Sequence, residues 1–86
     1  MIEMRWDLAK SRKLKDERGV SFEDILQAEL VAVLKHPGKP HQNILLFKYQ
    51  NYIWVAPCLK KGNEIFLKTL FPSRKYTKIW KRGGLQ

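Results

Sequence analysis

The stretch ILLFKYQNYIWVAP (residues 44–57) decides how the chain is read. On either side of Gln50-Asn51 stand short runs of Ile, Leu, Phe, Tyr, Trp and Val, residue types that suit a pleated, half-buried surface. Two such runs separated by two turn-compatible residues are the signal of a β-hairpin. Pairing Tyr49 with Tyr52 places Leu45, Phe47, Tyr49, Tyr52, Trp54 and Ala56 on one face, and none of them is charged. The opposite face takes Ile44, Leu46, Lys48, Ile53, Val55 and Pro57.

Working outward, KKGN (residues 60–63) turns the chain into EIFLKTLF (residues 64–71), a third strand of an antiparallel meander. A four-residue turn pairing Leu59 with Glu64 sends Cys58, Ile65, Leu67, Thr69 and Phe71 to the neutral face. It sends Leu59, Glu64, Phe66, Lys68 and Leu70 to the charged one. A slip of one residue would bury Glu64 and Lys68, which the cost of desolvating a charge disfavours. Pro72 cannot extend the ladder, and Ser73 is placed to cap a short basic helix over RKYTKIWKR (residues 74–82).

Upstream, HPGKPHQN (residues 36–43) is a loop by composition. Before it, Ser21 and Asp24 form an approximate capping box. Phe22, Ile25, Leu26, Leu30 and Val33 recur at helical spacing, which predicts a second helix burying one stripe. Asp7 and Gly19 bracket LAKSRKLKDER, a charged and mostly exposed first helix. IEMRW (residues 2–6) reads as a short opening strand. The expected class is α+β: a three-stranded C-terminal meander plus a short N-terminal strand, two N-terminal helices on the neutral face, and a short C-terminal helix.

Eighty-six residues suffice for one domain, 1–86, with one core. A chain of this size buries little more than half of its unfolded surface and gains from a partner. Cys58 is the only cysteine, so no internal disulfide forms, and a reducing cytoplasm fits that usage. MIEMRWDLAK carries no long apolar run, which predicts neither a signal peptide nor a membrane span. The net charge of +9 is unevenly placed. Residues 1–34 hold six Lys/Arg against seven Asp/Glu, whereas residues 35–86 hold eleven against Glu64 alone. This asymmetry points to a polyanionic partner on one side and a different contact on the other; a solvated surface is the plainer alternative.

Lys48, Lys68 and Glu64 share the charged face, whose end leads into Arg74 and Lys75. Phe66 and Tyr76 offer rings to unstacked bases, at about 1–3 kcal/mol for each base stacked. Arg74 at a helix start can grip phosphate bidentately, and Lys78 extends the cationic row. Together they outline a groove for single-stranded RNA. Cleavage by the ribose 2′-hydroxyl needs a base, cations for the developing phosphorane and an acid for the leaving oxygen. Glu64 is the candidate base, Lys68 and Arg74 the stabilisers, and Lys48 or Lys75 the acid. The plainer reading of Glu64 and Lys68 is a surface ion pair. His36 and His41 flank a Pro/Gly loop and read as ordinary exposed histidines. No Cys/His pairing has metal-ligand spacing, and no phosphate loop or hydrolase signature occurs, so neither metal nor cofactor is expected.

The two ends of the chain together resemble the BrnT-type toxins, ribonuclease components of bacterial type II toxin–antitoxin pairs. The matching elements are Trp6-Asp7, Lys10 three residues beyond the Asp, Gly19-Val20-Ser21-Phe22, and FPSRKYTKIW (residues 71–80) at the strand exit. The resemblance implies a RelE-like fold, an endoribonuclease that inhibits translation of mRNA, free or on the ribosome, and a cognate antitoxin with a ribbon-helix-helix DNA-binding part. By resemblance Arg74 and Lys75 take the places of the family's basic pair, and Lys10 joins the RNA-binding set. The chain departs from the pattern at Leu14, where Asn is common, and at Glu17-Arg18, where Lys-His precedes the glycine.

Two rival functions fit the same basic surface. A non-catalytic nucleic-acid-binding module would bind with steep salt dependence and cut nothing. A toxin acting on a protein such as gyrase would use its basic helix as a block.

Overall fold

The computed structural model describes residues 2–85. Its elements are β1 (Glu3–Arg5), α1 (Leu8–Arg18), α2 (Phe22–Ile25), β2 (Glu29–Lys35), β3 (Gln42–Tyr49), β4 (Tyr52–Lys61), β5 (Glu64–Leu67), β6 (Phe71–Pro72) and α3 (Arg74–Lys81). The α+β class is therefore as expected. Strands run in the order β1-β5-β4-β3-β2, with β6 on the flank of β4 and β1 parallel to β5.

The hairpin of residues 44–57 forms as read. Tyr49 pairs with Tyr52, Phe47 with Trp54 and Leu45 with Ala56. Gln50 and Asn51 both adopt positive φ, 52° and 62°, the geometry whose twist matches the strands it joins. Around the next turn the strands run two residues further than expected, pairing Lys61 with Glu64 and Leu59 with Phe66. A shift of two preserves side-chain alternation, so the face assignments through Lys68 stand.

Beyond Lys68 they do not. Cys58 pairs with Leu67 but Val55 with Phe71, so Lys68, Thr69 and Leu70 face only Pro57 and Ala56. This one-residue excess is a bulge, and it inverts the alternation. Leu70, assigned to the charged face, is instead fully buried in the neutral-face core. Phe71, assigned beneath the N-terminal helices, emerges on the charged side. The Arg18 guanidinium donates to the Leu70 carbonyl and ties the end of α1 to this bulge.

A larger correction concerns residues 26–35. The predicted second helix ends after one turn, at Ile25, and residues 29–35 form the edge strand β2, paired with β3. Leu30 and Val33, expected in a buried helical stripe, are 46% and 56% exposed. ELVAVLK satisfies both periodicities; its β-branched Val31 and Val33 and the open edge of β3 favour the strand. The meander thus has four strands, not three.

Capping explains the rest of the N-terminal region. The Asp7 carboxylate accepts from the Ala9 and Lys10 N–H groups, at 2.8 and 3.2 Å, and Gly19 closes α1 at φ 77°. Ser21 and Asp24 cap each other's backbone. Glu23 accepts from Trp6 Nε1 at 3.1 Å and from the Ser11 hydroxyl, and the Phe22 N–H donates to Ser11 Oγ at 3.0 Å. Trp6, Asp7, Ser21 and Phe22 of the resembling motif thereby join a structural knot: Trp6 and Phe22 also pack ring to ring, 6.3 Å between centroids.

The carboxylates of this knot carry a pH signature. The hydrogen bond from Lys15 Nζ, at 2.7 Å, together with the Ser21 N–H, holds the Asp24 carboxyl at about 2 against its usual 3.8. The Ser11 hydroxyl draws Glu23 below its usual 4.5. Both folded values are depressed, so their stabilisation is complete above the unfolded values and is lost as pH falls towards about 2. The thermal midpoint is expected to fall over that acid range, and Asp24→Asn to make the fall shallower. Equal slopes in the two proteins would show that the knot does not titrate this way.

Two cores result, one on each face. Leu14, Val20, Phe22 and Ile25 from the N-terminal helical region cover Leu45, Phe47, Trp54, Ala56, Cys58 and Leu67. On the other face, Tyr76 and Trp80 of α3 cover Ile44, Leu46, Ile53 and Val55. Burial pushes the Cys58 thiol pKa up, which makes it a filler rather than a nucleophile.

Candidate nucleic-acid interface

α3 is positioned by its first turn. The Ser73 N–H donates to the Ile53 carbonyl at 2.8 Å, and Ser73 Oγ accepts from the Tyr76 N–H at 3.1 Å. The buried Thr77 hydroxyl donates to the Ser73 carbonyl at 2.6 Å and accepts from the Ile53 N–H at 2.9 Å. That oxygen is a second bridge between helix and sheet, beside the Ser73 N–H bond. Thr77→Val keeps the shape but leaves the buried Ile53 N–H without its partner, so a loss of about 1–3 kcal/mol is expected in urea titrations. An unchanged midpoint would show that Trp80, Tyr76 and the Ser73 N–H bond hold the helix without it.

With Tyr76 and Trp80 turned to the sheet, α3 presents Arg74, Lys75, Lys78, Lys81 and Arg82 to solvent, all exposed. The charged face is therefore not the open groove expected between Lys48 and Lys68, because α3 lies on it. Lys48 borders the helix, its Nζ 5.3 Å from the centre of the Trp80 ring. Lys68 borders the other end: its N–H donates to the Pro57 carbonyl at 2.9 Å, continuing the β5 alternation onto this face.

Pro57 in turn lines a groove of about 280 Å³ at the start of α3, with His36, Ile44, Phe71, Lys75 and Tyr76. Lys75 Nζ stands 5.3 Å from the Tyr76 ring centre. The His36 N–H continues the β2–β3 ladder, donating to Gln42 at 3.0 Å, so this histidine belongs to a strand end rather than to the loop. Its Nδ1 accepts from the Gly38 N–H at 3.1 Å, which leaves Nε2 as the nitrogen that carries a proton in the neutral ring. Sequence reading passed His36 over, because only the unrecognised strand β2 brings it to the groove. His41 is exposed and does not line it.

The structure brings Arg74, Lys75, Tyr76, Lys68 and Lys78 to one region, with Lys48 at its far side. It does not bring Glu64 there. Glu64 pairs with Lys61, and its carboxylate takes Arg5 Nε at 3.0 Å. Four residues of β4 carry the chain from Lys61 to Pro57 in the groove lining, a span of about 13 Å, beyond the direct reach of the Glu64 carboxylate. Phe66 stands between, 43% exposed opposite Leu59. Lys10 lies on α1, across the sheet from α3. Among the described residues no cluster of His, Cys, Asp or Glu could hold a metal ion, and no helix is long and apolar enough to cross a membrane.

No protein-family model matches the chain, and no curated protein matches it significantly. A solved structure does. The fold is similar to that of BrnT, the ribonuclease toxin of Brucella abortus, with a TM-score of 0.57 and 15% sequence identity over 85% of this chain and 97% of that one. The likeness read from the two ends of the sequence therefore holds for the fold: this chain has the BrnT-like architecture.

Proposed function

We propose that residues 1–86 form the toxin of a bacterial type II toxin–antitoxin pair, a metal-independent endoribonuclease of the RelE-like class. It acts on mRNA in the cytoplasm, arrests translation, and is neutralised by an antitoxin carrying a ribbon-helix-helix DNA-binding part. The observation that carries this reading is the meeting of Arg74, Lys75, Tyr76 and Lys68 beside the His36 groove, on a fold similar to a ribonuclease toxin's.

In this reading Arg74, Lys75 and Lys68 neutralise the charge that gathers on the phosphoryl oxygens as the ribose 2′-oxygen attacks. His36 donates from Nε2 to the same group, and Tyr76 stacks a base. Lys78 and Lys48 track the strand along α3, and Phe66 is the next ring in line. Glu64, held by Arg5 about 13 Å of strand away from Pro57, takes no part in the proton transfer. Purified protein incubated with RNA in EDTA should yield fragments with cyclic phosphate ends. Intact RNA from a folded sample at micromolar protein would reject the nuclease reading.

The absence of a carboxylate from the groove lining favours a second reading, a module that binds RNA without cutting it. Its signature is retention that weakens steeply with salt while the RNA stays whole.

A further inference from the structure

The neutral face is only partly covered. The N-terminal helices pack over its Phe47–Trp54 end, but beside them Met4, Leu30, Val33, Leu45 and Ile65, with Ile2, line an open apolar groove of about 400 Å³. Ile2, Leu30 and Val33 are three of the large hydrophobic side chains the chain leaves exposed. Their gathering in one place is the signature of a contact surface.

The strand charges on this face are one-signed. Lys60 pairs with Ile65, and Lys35 with Asn43, so both lysines stand on this face at its open end. No strand carboxylate joins them. Glu3 and Glu64 share the opposite face with Arg5, and Glu29 pairs with Lys48 there. In the N-terminal helical knot, Glu23 is bonded to Trp6 and Ser11, and Asp24 to Lys15. A second copy of this chain would bring its own Lys35 and Lys60 against these, with +9 on each partner. Complementarity therefore selects an acidic occupant.

We propose that this groove docks an acidic amphipathic helix of a partner protein, laid across the strands beside the N-terminal helices. The geometry sets its length. From β1 to β2 the sheet spans four inter-strand gaps, about 19 Å, which corresponds to a helix of about 13 residues. The apolar stripe of that helix meets Leu30, Val33, Ile65 and Met4, with Leu45 at the floor, and its flanking carboxylates meet Lys35 and Lys60. The inference rests on the toxin reading in one respect, that the partner is the neutralising antitoxin. It also places that contact across the sheet from α3, so the partner is anchored away from the RNA groove.

The test uses the full chain and a fluorescent peptide of about 14 residues, built of Leu, Ala and Glu with Leu at helical spacing. A scrambled peptide of the same composition and a Leu/Lys counterpart serve as controls. Only the acidic amphipathic peptide is expected to bind, with amide shifts at Val33, Leu45 and Ile65. Val33→Asp and Lys60→Glu, both at exposed sites, should each weaken it about tenfold, whereas Arg74→Ala should leave it unchanged. Three results would overturn the docking site: equal binding of the scrambled peptide, indifference to Val33→Asp and Lys60→Glu, or loss on Arg74→Ala. Sedimentation of the protein alone as a dimer that Val33→Asp dissolves would also overturn it, by naming a second copy as occupant. RNA cleavage measured on the same samples separates the two ideas. Site-specific peptide binding with no cleavage sinks the nuclease and leaves the docking site standing; cleavage without such binding does the reverse.

Discussion

Arg74→Ala is expected to lower RNA cleavage by about 100- to 1,000-fold, the usual cost of removing one preorganised donor from a developing oxyanion. The helix should survive the change. Arg74 is exposed, and the cap at Ser73 and the hydroxyl bridge of Thr77 hold α3 without its side chain. Circular dichroism and the unfolding midpoint should therefore match those of the parent protein, which separates lost chemistry from lost structure. Lys10→Ala and Glu64→Gln are the informative controls, and both should cut RNA at the parental rate. Lys10 stands across the sheet, and Glu64 pairs with Arg5 at the far end of β4. Loss of cleavage in Glu64→Gln with retention in Arg74→Ala would move the site to the β1–β5 end of the face.

Phe22→Ala should be the most damaging single change to stability, at about 3–5 kcal/mol. Its side chain is fully buried where α2 meets the sheet and packs against Trp6, while its N–H anchors Ser11. A domain this small has about 5–10 kcal/mol in total, so the change should remove about a third or more of it and lower the unfolding midpoint by more than about 10 °C. Leu30→Ala and Val33→Ala should cost less than about 1 kcal/mol, because these residues already face solvent on the edge strand. The contrast tests the strand directly. A helix through residues 26–33 would bury both side chains and make their loss as costly as that of other core residues. Comparable losses at Leu30 and Phe22 in a denaturant series would restore the helix.

How much of this was legible varies with the range of the forces involved. The hairpin over residues 44–57, its division into a neutral and a charged face, and the caps at Asp7, Gly19, Ser21 and Ser73 were all readable. Each depends on neighbours within a few residues or on strict alternation. Residues 29–35 were misread because ELVAVLK meets the apolar spacing of a helix and of a strand equally, and only the unpaired edge of β3 decides between them. The bulge at Lys68–Leu70 had no local mark at all. It exchanges the faces of Leu70 and Phe71, and it is held by the distant Arg18.

The candidate site divides along the same line. Arg74, Lys75 and Lys78 were visible as a basic helix after a capped break, since charge density and capping are written in adjacent residues. Their company was not visible. That α3 folds back over Ile53 and Val55, that Lys48 meets Trp80, that His36 reaches the groove through β2, and that Arg5 holds Glu64 far from it are consequences of packing. Local composition and periodicity decided which side chains carry charge and which strands alternate. Burial of two apolar sheet faces, satisfied only by elements far apart in the chain, decided which of those charges stand together.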